Sequence, residues 1–160
     1  ALADTRKKSI QRQLSKNKLM GVLGVAFAKK MGWAFDGVRF PIKLTTKMWA
    51  MANNKEFVQK LLKDKVGSGG KVYLKFLRTL FEASPAIEPE LFSTIPLLFL
   101  QPEEDHIIPW WVSEPFYNRL NCPKTQVVLK GCGHIPMEEP GASQMESSAL
   151  NFLNELTSTV

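Results

Sequence analysis

Two titratable residues draw attention by where they fall in the chain. Asp105 lies in Gln101-Pro102-Glu103-Glu104-Asp105-His106-Ile107-Ile108-Pro109, just after an apolar run, and His134 lies in Lys130-Gly131-Cys132-Gly133-His134-Ile135-Pro136, just after another. A histidine serves as a general base when a buried carboxylate engages its other ring nitrogen, fixing the tautomer and stabilising the imidazolium. Asp105 and His134 have the composition of such a pair, acid before base. Glu103, Glu104, Glu138 and Glu139 compete for the acid's role, and His106, the only other histidine, reads as a solvated loop residue. Gly131 and Gly133 suit a tight turn that aims the imidazole, because glycine tolerates positive φ.

The elements that must position this pair follow from the hydrophobic pattern. Ile95-Pro96-Leu97-Leu98-Phe99-Leu100 is a continuous apolar segment of strand length, as expected when helices cover both faces of a parallel strand. A helix over 112–120, a strand over 125–129 and a closing helix over about 141–156, with Met145, Ala149, Phe152, Leu153 and Leu156 at helical spacing, complete a βαβα unit. Open α/β sheets place their sites just past the carboxyl ends of parallel strands, and both Asp105 and His134 fall there.

Residues 5–84 carry a helical pattern instead. Ile10 and Leu14, then Leu19, Leu23 and Phe27, recur at i+4, with an expected interruption near Gly21 and Gly24. Gly32, Gly37 and Pro41 punctuate an expected loop over 32–46. Thr45 or Thr46 suits the cap of a helix through Met48, Trp49 and Met51, and Asn53 or Asn54 that of another through Phe57, Leu61 and Leu62, ending at Gly67. Ser68-Gly69-Gly70 reads as a flexible hinge before a helix bearing Val72, Phe76 and Leu80.

Taken together, the two loops resemble the last two strand ends of the α/β-hydrolase fold. That family carries its acid in an x-x-Asp-x-(Ile/Val)-(Ile/Val)-Pro loop and its base in a Gly-x-Gly-His turn followed by Glu/Pro and a closing amphipathic helix. Here the second pattern is Gly131-Cys132-Gly133-His134-Ile135-Pro136-Met137-Glu138-Glu139-Pro140. Asp105 is the preferred acid because its register with Ile107, Ile108 and Pro109 matches; Pro102 departs from the glycine common in the family. The opening Ala1-Leu2-Ala3-Asp4-Thr5 is similar to the strand end that precedes the family's helical cap. The resemblance implies a partial α/β-hydrolase fold of α/β class: residues 1–5 ending a core strand, 6–92 a helical cap or lid, and 93–160 the C-terminal part of the core.

The family's nucleophile elbow, Gly-x-Ser-x-Gly after an apolar strand, does not occur in the sequence. Val66-Gly67-Ser68-Gly69-Gly70 follows a lysine-rich segment and lacks the first glycine, so Ser68 reads as a linker residue; Cys132 is a poor nucleophile for the base two residues later. The expectation is a hydrolase portion supplying the triad acid Asp105 and the histidine His134 to a serine elsewhere, in a missing N-terminal part or a companion chain, and inactive alone. The expected substrate is a small-molecule carboxylic ester, lipid esters included, in a pocket for which Trp110, Trp111, Trp49 and Met48 are candidates. The alternative is a non-catalytic binding or partner-interaction protein of the same fold.

Bulk properties narrow the field further. With 44% hydrophobic and 22% charged residues, the chain has ordinary globular composition, and its longest apolar stretch, 19–28, is about half of the ~20 residues a membrane helix needs. The net charge of +6 divides unevenly: through Arg78 there are 18 Lys and Arg against four acids, and afterwards three against 11. The dispersed lysines match no nucleic-acid motif. Two cysteines, without CxxC or Cys/His spacing, point to no metal and to a reduced, cytoplasmic setting, although spacing alone leaves a Cys122–Cys132 bridge open. No cofactor is implied.

Overall fold

A computed structural model describes residues 2–158. The chain divides into two compact units: residues 50–54 with 87–158, and residues 2–49 with 55–86. The five-residue segment 50–54 thus groups with the unit that resumes at residue 87.

The C-terminal unit is built on two parallel strands, β3 (Leu97–Pro102) and β4 (Lys124–Leu129), paired from Leu97 opposite Lys124 to Pro102 opposite Leu129. Helix α6 (Trp110–Arg119) connects them and α7 (Gly141–Ser158) closes the chain, giving the expected βαβα order with boundaries displaced by about two residues. Two details hold the crossover in place. Phe99, Trp110 and Tyr117 form an aromatic trio with centroids 5.5–5.8 Å apart. The Lys124 ammonium at the start of β4 donates to the terminal α6 carbonyls of Tyr117 (2.8 Å) and Leu120 (2.7 Å), a cation at the negative helix end. Leu129, Val112 and Cys132 are fully enclosed, and both cysteines are free buried thiols, so the bridge left open by the sequence is not formed. The strands are not covered throughout as the apolar pattern suggested: Val128 is exposed, as are Leu150 and Leu153 of α7.

The other unit is mainly helical, with α1 (Lys8–Leu14), α2 (Lys18–Phe35), α3 (Ile42–Thr45), α4 (Lys55–Lys63) and α5 (Leu74–Glu82). The expected break near Gly21 and Gly24 is absent. The chain turns at Ser15–Asn17 instead, where the Asn17 side chain caps α2 by accepting from the Leu19 N–H at 2.9 Å. Gly21 serves the packing of α1 on α2, since a Cβ there would lie 2.7 Å from the Gln11 carbonyl and 2.8 Å from Ser15 Oγ. The expected loop over 32–46 is largely structured: α2 runs to Phe35, and β1 (Arg39–Pro41) pairs antiparallel with β2 (Lys71–Tyr73). That pairing takes Val72 out of the helix expected for it. The Ser68 to Gly70 hinge is instead a hydrogen-bonded turn, with Gly69 N–H donating to Asp64 at 2.8 Å and Gly70 N–H to Gly67 at 2.9 Å. The helix expected through Met48 and Met51 shortens to a 3-10 turn, Met48–Ala50. Leu2 to Asp4, within the strand end expected over 1–5, are irregular, and Ala1 lies outside the described residues. No described helix is long and apolar enough to cross a membrane.

Candidate active site

Past the end of β3 the chain makes two backbone bonds to the loop after β4, Glu103 N–H to Leu129 (2.9 Å) and Glu104 N–H to Cys132 (3.1 Å), which carry the parallel pairing beyond the strands. Asp105 follows, 5% exposed. Its Oδ1 accepts the N–H groups of Ile107 (2.9 Å) and Ile108 (2.8 Å), an Asx turn that locks the carboxylate to its own loop. Gln101, also buried, secures that loop from beneath by donating to the carbonyls of Pro102 (3.0 Å) and Ile108 (3.3 Å). The second oxygen, Oδ2, lies 2.9 Å from His134 Nδ1.

Burial alone would push the Asp105 carboxyl up, but the bond with His134 and those from Ile108 and Ile107 outweigh it and hold the group below the ordinary aspartate value. It is therefore an anion at neutral pH, suited to keep a proton on Nδ1 and leave Nε2 to act as base. The His134 side chain is 26% exposed against 4% for Asp105, so a buried carboxylate holds an imidazole with one side open.

The turn that carries His134 uses its glycines differently from one another. Gly131 has φ +66°, the left-handed conformation glycine favours. Gly133 does not: a Cβ there would stand 3.0 Å from Ala52 Cα and from Asn53 N, so this glycine admits the 50–54 segment against the turn. That contact was invisible in the local sequence. Ile135 N–H donates to the Met51 carbonyl at 2.7 Å. Glu138 accepts from Asn53 N–H (2.7 Å), Asn54 N–H (3.0 Å) and Gly133 N–H (3.2 Å).

The competing acids are all engaged elsewhere. Glu103 pairs with Lys130 (2.7 Å), Glu104 accepts from the Asn53 side chain (2.8 Å), Glu138 from backbone amides, and Glu139 from Ser143 N–H (3.3 Å). Among the described residues Asp105 is the hydrogen-bonding partner of His134, and no serine or cysteine side chain takes that place. His106 is exposed in its loop. Of the pocket candidates, Trp110 packs in the aromatic trio and Trp111 is exposed, while in the other unit Met48 is buried and Trp49 is exposed.

The parallel βαβα unit, with Asp105 and His134 bonded past its strand ends, is part of an α/β-hydrolase fold. More narrowly, residues 10–141 match the family described as serine aminopeptidase, S33, and the chain belongs to that family. Among solved structures, a monoacylglycerol lipase from Paleococcus ferrophilus shares the fold with a TM-score of 0.66 at 20% identity. The match covers 82% of this chain and 51% of the lipase, so the chain spans about half of that relative's length. No curated protein matches the chain.

Proposed function

We propose that this chain supplies the acid and base of a serine hydrolase acting on carboxylic esters, with lipid esters within its range. The observation that carries the reading is the 2.9 Å contact of His134 Nδ1 with an Asp105 carboxylate whose other oxygen is held by two backbone amides. Peptidase and lipase chemistry share one acyl-transfer mechanism: His134 Nε2 takes the proton of the attacking hydroxyl, then returns it to the leaving group, while Asp105 holds Nδ1–H and stabilises the imidazolium. Neither a metal nor an organic cofactor is needed for those steps.

The nucleophile and the oxyanion donors belong, on this reading, to a part of the fold outside these 160 residues. The half-length match to the lipase supports this, as do Val128, Leu150 and Leu153, apolar side chains that a larger sheet would cover. On this reading residues 6–92 form the cap, and Trp111, exposed just past the acid loop of the core, is apolar surface suited to an acyl group. The test is hydrolysis of a short p-nitrophenyl ester by the complete protein and by its His134→Ala variant. Turnover that the substitution abolishes supports the assignment. Turnover indifferent to His134, or absent from the wild type, rejects it in favour of a binding role.

A further inference from the structure

The segment Ala50–Asn54 reaches the base turn from more than 75 residues upstream, and its hydrogen bonds reach residues near both His134 and Asp105. Glu138 closes the arrangement. One carboxylate oxygen accepts both Asn53 N–H (2.7 Å) and Asn54 N–H (3.0 Å); the other accepts Gly133 N–H (3.2 Å), the amide directly before the histidine. On the other side of His134, Ile135 N–H is held by the Met51 carbonyl at 2.7 Å. Asn53 Nδ2 then donates to Glu104 Oε2 at 2.8 Å, tying the same segment to the residue before Asp105. The segment is thus bonded to both loops: Met51 holds the backbone after His134 directly, and Glu138 links the backbone before it to Asn53 and Asn54.

We propose that Glu138 is a positioning residue for His134, clasping the base turn to residues 50–54 so that the imidazole stays seated on Asp105. The inference rests on the proposed catalytic role of His134. A carboxylate suits the task because it accepts three amide bonds at once, and charge-assisted bonds of this kind are roughly twice as strong as neutral ones. Glu138 remains ionised at neutral pH, since its amide bonds outweigh the effect of burial and hold it below the ordinary glutamate value. Its hydrogen bonds from Asn53, Asn54 and Gly133 all come from backbone amides, so its effect on chemistry passes through the backbone.

Glu138→Gln separates the two arms. A side-chain carbonyl in the Oε1 place keeps the bonds to Asn53 and Asn54, whereas an amide nitrogen in the Oε2 place opposes the Gly133 N–H. The experiment compares wild type, Glu138→Gln and Glu138→Ala in the complete protein, reading kcat and KM on a p-nitrophenyl ester and the His134 Nδ1–H signal by NMR. Misplacing a reacting group by as little as about 1 Å can cost on the order of 100-fold. The expected result is a kcat lower by about that factor in Glu138→Ala, less in Glu138→Gln, with KM within about twofold and the Nδ1–H signal shifted or broadened by exchange. A variant that only melts earlier, with kcat and the His134 signal unchanged, overturns the proposal. Glu138→Gln, nearly isosteric, carries the comparison if the alanine variant fails to fold. Should the wild type show no ester turnover, the ester reading fails while the NMR comparison still decides whether Glu138 seats His134.

Discussion

Carboxylates are used differently in the two units. Around His134, Asp105, Glu138 and Glu103 accept six backbone N–H groups between them, from Ile107, Ile108, Asn53, Asn54, Gly133 and Gly131. In the helical unit the acids mostly meet side-chain cations: Asp4 pairs with Arg6, Asp36 with Arg78, and Glu56 with Lys60, while Asp4 and Asp64 each accept one N–H from a residue two positions on. A side-chain ion pair constrains the backbone little, because it ends on a long, flexible cation and, where exposed, is screened by solvent. A carboxylate bonded to successive amides fixes φ and ψ of the loop itself. The less positively charged unit therefore holds its strand-end loops in defined shapes, as the role proposed for His134 requires.

The sharpest way to break the contrast is Asp105→Asn. An amide can hold His134 in the wrong tautomer while preserving shape, and in a serine protease the equivalent change lowers kcat by about 10⁴. A fall of that order in ester turnover by the complete protein is expected, and a loss below about tenfold would show that the carboxylate does not govern the base. Next in size is Gly133→Ala. The added methyl meets the backbone of Ala52 and Asn53 at 3.0 Å, and overpacking of this kind costs about 1–3 kcal/mol, measurable by chemical denaturation. An unchanged denaturation midpoint would mean that residues 50–54 do not press on the turn.

The pH dependence of stability should divide the same way. Because the folded-state Asp105 value lies below the ordinary 3.8, its stabilising contribution is present above that value and disappears as pH falls through the lower folded one. The melting temperatures of wild type and Asp105→Asn should differ at pH 6 and converge as the solution is acidified through the carboxylate range. A gap that widened on acidification would contradict the depressed value. The smallest effect is expected from Lys60→Ala: its partner Glu56 is an exposed i,i+4 neighbour, and the melting temperature should stay within about 1 °C.

The pair Asp105 and His134 was legible in the sequence because each sits in a short motif directly after an apolar strand, and strand ends are where such sheets bring loops together. The βαβα order was legible for the same reason, since periodicity and apolar runs are local signals. Elsewhere local signals misled. Gly21 and Gly24 suggested a break in a helix, yet α2 continues through both, because Gly21 permits the approach of α1 and Asn17 supplies the start. Val72 fits a helical face with Phe76 and Leu80, but pairing with Phe40 places it in a strand. The clasp on the base turn was illegible, since Glu138 and Asn53 stand 85 positions apart and neither belongs to a pattern that announces the other. Gly133 was assigned to the turn for its conformational freedom, when its lack of a side chain is what the neighbouring segment requires.

The most direct test of the account is to label the complete protein with an active-site phosphonate and map the modified peptide by mass spectrometry. The expected adduct is on a serine outside these 160 residues, formed in the wild type and lost in His134→Ala. An adduct on a serine within them, such as Ser68, or labelling that proceeds equally without His134, would contradict the claim that Asp105 and His134 serve a nucleophile supplied by the rest of the fold.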